Sequence, residues 1–134
     1  MTDNTESVAC TCAHLADERK ADDIAVLEVA ELTVLAEYFV IATGRNVRQI
    51  NAIAREIDRQ MEELDQPRLG VEGEAESGWV LIDLADVIVH LFTPRMRELY
   101  DLEMLWGDAP RVEWQEVEPL ATAGPRPEGE IRGT

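Results

Sequence analysis

Two strongly apolar runs, Trp79–Leu84 and Val87–Phe92, stand back to back with only Ala85 and Asp86 between them. Strands joined by two residues have no room for a crossover, so they pair as a tight hairpin. Ala-Asp is a poor hairpin turn. A positive φ at its first position costs Ala85 about 1 kcal/mol relative to glycine. Pro94 is well placed in a first helical turn. The segment Arg95–Trp106 then reads as a helix or two helical turns, with Met96, Leu99, Leu102 and Leu105 directed inward. The stretch as a whole reads as the middle of a sheet followed by a helix that covers it. Asp83, Asp86 and His90 are polar groups that a plain core strand does not need.

The rest of the chain has to supply that sheet with neighbours. Residues Asn46–Leu64 carry Val47, Ile50, Ile53, Ala54, Ile57, Met61 and Leu64 on one helical stripe, with Arg48, Arg55, Glu56, Arg59 and Glu63 largely off it. Asn46 is a good N-cap, and Gln49 sits in the capping-box position. Burying each large apolar side chain of the stripe contributes roughly 1.5–3 kcal/mol, so packing holds this helix. Tyr38–Thr43 is apolar on both faces, as a central strand covered on both sides requires. Residues 23–30 are rich in β-branched residues and read as a first strand. Leu69–Gly73 suits a short edge strand. Val8–Ala21 has the spacing of a short helix of moderate amphipathicity. Residues 1–7 are polar and are expected to be disordered. From Gly107 onward the chain holds four of its six prolines and four of its eight glycines. The folded domain is therefore expected to span residues 8–114, and residues 115–134 to form a disordered tail.

The 134 residues suffice for one domain with a core that needs no disulfide. The charge is unusual: 12 basic against 28 acidic residues, net −16. That balance repels phosphate backbones, speaks against general nucleic-acid binding, direct DNA binding included, and favours basic protein partners. Cys10 and Cys12 are too close in sequence to staple a fold, which points to a reducing compartment. The acidic start is unlike a signal or transit peptide. No apolar run approaches the ~20 residues of a membrane span, so a cytoplasmic protein without membrane contact is expected.

Several patterns touch on chemistry without completing a site. Thr43-Gly44-Arg45-Asn46 opens a helix after a strand, where free N–H groups can meet a phosphate. It lacks the P-loop lysine and the three glycines of a dinucleotide fingerprint. Asp83 and Asp86 are three apart and point to opposite faces of extended chain, so pairing on a metal needs the hairpin to bring them together. Otherwise they are turn residues accepting backbone hydrogen bonds. His90 has no nucleophile near it in sequence and shares a face with Ile88 and Phe92. Cys10, Cys12 and His14 are too few for a tetrahedral metal site. No cofactor, metal or catalytic residue is expected. Trp79, Tyr100 and Trp106 sit at element edges, where amphipathic aromatics serve either as core or as interface anchors.

In order and spacing, D-I-A-V-L-E-V, Y-F-V-I-A-T-G-R-N-V-R-Q-I-N-A-I-A, V-E-G, W-V-L-I-D-L-A-D-V-I-V-H-L-F and R-E-L-Y-D-L-E-M-L-W resemble the ribosomal silencing factor family, also called Iojap-like proteins. The resemblance covers about Asp23 to Trp106. It implies an α/β fold: a single domain with a mixed β-sheet flanked by helices, nucleotidyltransferase-like but without that catalysis. It also implies a homodimer in the free state. The implied activity is binding to a large-ribosomal-subunit protein at the intersubunit face, which blocks subunit joining and represses translation when nutrients are short. The tryptophan opening W-V-L-I-D and the tyrosine of R-E-L-Y-D-L-E are positions the family uses at that contact. Here they are Trp79 and Tyr100. Three positions depart from the common pattern: Glu37 for Asp, Asn46 for Ser, and Ala85 for the hairpin Gly.

The face expected to meet the partner is thus centred on Trp79 and Tyr100 and rimmed by Asp83 and Glu103. Leu81, His90 and Arg97 complete it. The alternative is a nucleotide-binding or residual nucleotidyltransferase-like protein using Thr43–Asn46 with Asp83 and Asp86. Against it, Gly44-Arg45 replaces the Gly-Ser turn of that chemistry, and no D-x-D or D-x-E strand follows.

Overall fold

The computed structural model describes residues 2–66 and 68–120. It contains one five-stranded mixed sheet. Its strands are β1 (Asp22–Glu28), β2 (Tyr38–Thr43), β3 (Gly70–Glu74), β4 (Trp79–Asp83) and β5 (Val87–Phe92), in the order β1-β2-β5-β4-β3. The β4–β5 hairpin is antiparallel, with Trp79 opposite Phe92 and Asp83 opposite Ile88. Only β2 and β5 run parallel. They lie at the centre, and every residue of β2 is buried. The parallel pair needs a crossover, which α2 (Val47–Glu63) supplies before the chain returns through β3 and β4.

Asn46 caps α2 by accepting the Gln49 N–H at 2.9 Å. Gln49 then departs from the capping box. Its side-chain oxygen accepts from the Arg45 N–H at 2.6 Å, and its amide donates to the carbonyls of Arg19 and Lys20. One side chain thus ties the start of α2 to the end of α1. Gly44 is required by packing, since a Cβ there would lie 2.6 Å from the Ile50 side chain.

The N-terminal helix corrects two expectations. Helix α1 runs Thr2–Glu18, so residues 2–7 are helical and the domain does not begin at residue 8. Nor is the helix simply amphipathic: Val8 through Ala13, Leu15 and Ala16 are all buried. The sheet and α2 pack against it, and so does a short 3₁₀ turn, Trp114–Glu116. Trp114 meets His14 edge-on at 5.0 Å, and the Leu120 N–H donates to the Thr11 hydroxyl at 2.8 Å. Val117 and Leu120 pack on the same core. The folded region therefore extends past residue 114 to at least Leu120; the rest of the expected tail, 121–134, lies outside the described residues. Small side chains let so many neighbours approach α1, which is why its stripe pattern is weak.

The segment after β5 breaks in two. Thr93 caps α3 (Pro94–Tyr100), with Pro94 in its first turn. Asp101 then takes φ +43 and starts α4 (Leu102–Leu105) in a new direction. The inward stripe expected over both helices is only half realised. Met96 and Leu102 are half-buried, but Leu99 and Leu105 are 67% and 70% exposed. In the hairpin, Ala85 has φ +76, the value that makes it costly. Among the described residues no helix is long and apolar enough to cross a membrane.

Candidate functional site: an open aromatic face of the sheet

Helices α1 and α2 cover one face of the sheet. The other face is built in rows set by strand register. Glu74, Trp79, Phe92 and Thr43 form one row, Glu72, Leu81, His90 and Ile41 the next, and Gly70, Asp83, Ile88 and Phe39 the third. Over β1 and β2 this face is closed by the segment after α4. Trp106 meets Phe39 edge-on at 5.3 Å, Ala109 is buried, and the Glu28 N–H donates to the Pro110 carbonyl at 2.9 Å. Over β4 and β3 the side chains stay accessible: Trp79, Leu81, Asp83 and Ile88 are half-buried, and Glu72 and Glu74 are exposed. The result is an apolar, aromatic half-face with an acidic rim.

Trp79 organises it. Its ring stacks on Phe92 at 5.4 Å, lies 4.7 Å from Tyr100 at 42°, and its centroid is 6.0 Å from that of His90. Gly78, at φ +89, lets the chain turn into β4 directly beneath α3; a Cβ there would strike Met96 and the Thr93 hydroxyl. That close approach sets Tyr100 over the tryptophan. The Trp79 indole N–H donates to Nδ1 of His90 at 3.3 Å. Since an indole can only donate, the His90 proton sits on Nε2, which is buried and has no hydrogen-bond partner among the described residues. Burial pushes the imidazole pKa down to about 4, so His90 is neutral at physiological pH.

The remaining expected site residues divide. Asp83 accepts the Ala85 N–H at 2.8 Å, as a turn residue does, and is still half-buried at the rim. Arg97 and Glu103 are committed to each other by two parallel hydrogen bonds of 3.0 and 2.9 Å. Arg97 also donates to Thr43 at 2.8 Å, and Arg111 adds a third contact to Glu103 at 3.0 Å. The Arg97 hydrogen bonds, with Arg111 beside them, hold the Glu103 carboxyl below its usual range. This pair fixes α4 against α3 and the end of β2. Glu72, Glu74 and Ile88 join the open face without having been named among the expected contacts; strand register brings them there. Leu99, next to Tyr100, is exposed although its spacing predicts an inward position.

The nucleotide alternative does not assemble. Thr43 lies opposite Phe92 and Asp83 opposite Ile88, four residues apart along β5, or about 13 Å. Thr43–Asn46 and the Asp83/Asp86 turn therefore occupy opposite ends of the sheet. A cleft of about 700 Å³ does open near Thr43, lined by Arg95, Arg97 and Arg111 among others. Two of those guanidiniums are already bound to Glu103, and Asp23, Glu98 and Asp101 line the cleft as well. Cys10 and Cys12 are both fully buried in α1, and burial raises their thiols to about 11 and about 12, so neither is a ready thiolate. The His14 Nε2 lies 3.0 Å from the Val117 carbonyl. Among the described residues no three His, Cys, Asp or Glu side chains converge as metal ligands.

Residues 2–131 match the family model described as ribosomal silencing factor during starvation. The chain is 42% identical over 107 residues to the ribosomal silencing factor RsfS of Bacillus subtilis, covering 80% of this chain and 91% of that one. It is 36% identical over 107 residues to the chloroplastic protein Iojap of Zea mays, covering 80% of this chain and 46% of the relative. Two solved structures share the fold. One is a protein of Chromobacterium violaceum, with TM-score 0.72 at 34% identity over 75% of this chain and 83% of its own. The other is a protein of Bacillus halodurans, with TM-score 0.67 at 34% identity over 77% and 93%.

Proposed function

The chain belongs to the ribosomal silencing factor family, and from that premise we propose that it represses translation by steric exclusion. The open half-face grips a protein of the large ribosomal subunit at the intersubunit face. The bulk of the domain then occupies space the small subunit needs. The protein is cytoplasmic, dimeric when free, and performs no catalysis. One observation carries this reading: Trp79 and Tyr100 form a partly exposed aromatic pair inside a ring of acids, Glu72, Glu74 and Asp83. Aromatic anchors with a polar rim are how hot spots are built, and truncating one costs about 2 kcal/mol or more of binding. The acidic rim and the net charge of −16 speed encounter with a basic ribosomal protein. Sedimentation of the protein with purified large subunits, combined with a subunit-joining assay, tests the proposal. Wild type is expected to co-sediment with large subunits and to lower the yield of joined ribosomes, and Trp79→Glu to do neither. Equal retention of folded Trp79→Glu would sink the idea.

A further inference from the structure

His90 sits in the middle row of the open face and is hidden within it. It pairs with Leu81 across the hairpin, so Trp79, opposite Phe92, is its diagonal neighbour. Only 6% of its surface is exposed. Its ring lies parallel to that of Phe92 at 6.1 Å, and Phe39 meets it edge-on at 5.1 Å. The histidine is poorly housed there. Its Nε2–H is buried without a hydrogen-bond partner among the described residues, a cost that an apolar ring would avoid. Thr43, another buried polar side chain of this face, is satisfied by Arg97 at 2.8 Å. What His90 does supply is one acceptor, Nδ1, and the group that uses it is the Trp79 indole N–H at 3.3 Å. An indole at an open face normally turns its N–H toward water or a partner. Here the N–H is turned inward.

We infer that His90 is a positioning residue of the docking face: it does not touch the partner but holds the Trp79 indole in the orientation the partner meets. The inference rests on the proposed ribosome docking. The χ2 torsion of a tryptophan is broad and roughly two-fold, so packing alone leaves the ring free to turn over. The hydrogen bond to Nδ1 selects the state whose N–H points at β5, and Phe92 and Tyr100 pack against the ring in that state. Part of the ordering cost of binding is thereby met before the partner arrives. The indole N–H is also spent inside the domain. The partner atoms over Trp79 are therefore apolar and need supply no acceptor, as the aliphatic stem of a lysine or arginine does. Such a stem suits the acids that ring the face, Glu72, Glu74 and Asp83.

The test compares three substitutions that separate the acceptor from the packing. His90→Phe keeps a buried ring and removes the acceptor. His90→Asn keeps an acceptor, because its Oδ1 stands two bonds from Cβ as Nδ1 does. His90→Gln moves the acceptor one bond further out. Affinity for purified large subunits is expected to fall about fivefold for the Phe and Gln variants, the worth of one hydrogen bond that selects the competent state, and to stay near wild type for Asn. Stability should run the other way, since the Phe variant buries no unpaired polar atom and the Asn variant does. A merely structural histidine would make binding follow stability. Hydrogen exchange of the Trp79 indole N–H, read by NMR on the free protein, gives a second readout. It should be protected in wild type and His90→Asn and fast in the other two. If His90→Phe does not fold, the Asn and Gln variants carry the comparison. If wild type binds and His90→Phe binds equally well, if binding follows stability, or if the indole N–H of wild type exchanges freely, the positioning role is wrong and the proposed function stands. If folded wild type does not bind large subunits, both are wrong.

Discussion

The rings of Trp79 and Tyr100 lie 4.7 Å apart at 42°, one projecting from β4 and the other from the last turn of α3. Their supports differ. Trp79 also contacts Phe92 and His90, whereas Tyr100 is 43% exposed and rests on Trp79 and Phe92. Tyr100→Ala is therefore expected to cost only about 0.5–1.5 kcal/mol of stability, the worth of an aromatic contact. Trp79→Ala should cost about 2–4 kcal/mol, since a cavity opens beneath it. Urea denaturation gives both values. Tyr100→Ala is the cleaner binding probe and should weaken large-subunit binding about thirtyfold, the equivalent of about 2 kcal/mol; unchanged binding by this variant would place the contact elsewhere.

Ala85 occupies the first central position of the hairpin turn with φ +76. An L residue there costs about 1–2 kcal/mol, and part of that is offset because alanine also restricts the unfolded chain. Ala85→Gly should raise stability by about 0.5–1 kcal/mol without altering binding. A lower urea midpoint for the glycine variant would show that the turn is not strained.

His90 links stability to pH. Its folded-state pKa is depressed to about 4 against an ordinary 6.5, because burial disfavours the imidazolium. The unfolded chain therefore takes up a proton first as pH falls. Stability is fully present above about pH 6.5 and is lost progressively toward pH 4, by about 2 kcal/mol between pH 7.5 and 5. Glu56 and Glu103, held below the usual carboxylate range by their arginines, lose their contribution only at lower pH. Denaturant midpoints of wild type and His90→Phe across this window check the assignment. The variant should be flat where wild type declines, and parallel curves would refute it.

The end of the domain can be located by truncation. Val117 and Leu120 pack against the core, and the Leu120 N–H reaches Thr11 on α1. A chain ending at Trp114 should be about 1–3 kcal/mol less stable than one ending at Leu120, from lost apolar burial and one hydrogen bond. Equal melting temperatures for the two would restore the shorter domain.

The hairpin and α2 were legible because local patterning and burial agree there. Two apolar runs separated by two residues have one way to pair, and the stripe of Ile50, Ile53, Ile57 and Met61 has one face to bury. Helix α1 was misjudged because Ala9, Cys10, Thr11, Cys12 and Ala13 carry little hydrophobic signal, yet all are buried by three different neighbours. The helix packs on the sheet and α2, and Thr11 and His14 meet Leu120 and Trp114 about a hundred residues away; no local pattern reports such contacts.

The sequence by itself determined the family, the two central strands, the capped crossover helix, the acidic balance and the strained alanine, since each follows from residue order, residue type and local geometry. Tertiary structure alone decided that Trp79 meets Tyr100, that His90 is buried behind them, and that Arg97 is committed to Glu103. It also decided that Thr43 and Asp83 stand at opposite ends of the sheet. Those relationships depend on strand register and on the left-handed residue at Asp101, which turns α4 away from α3. They arise from packing between segments distant in the chain, where backbone geometry, and not the order of residues, sets which side chains touch.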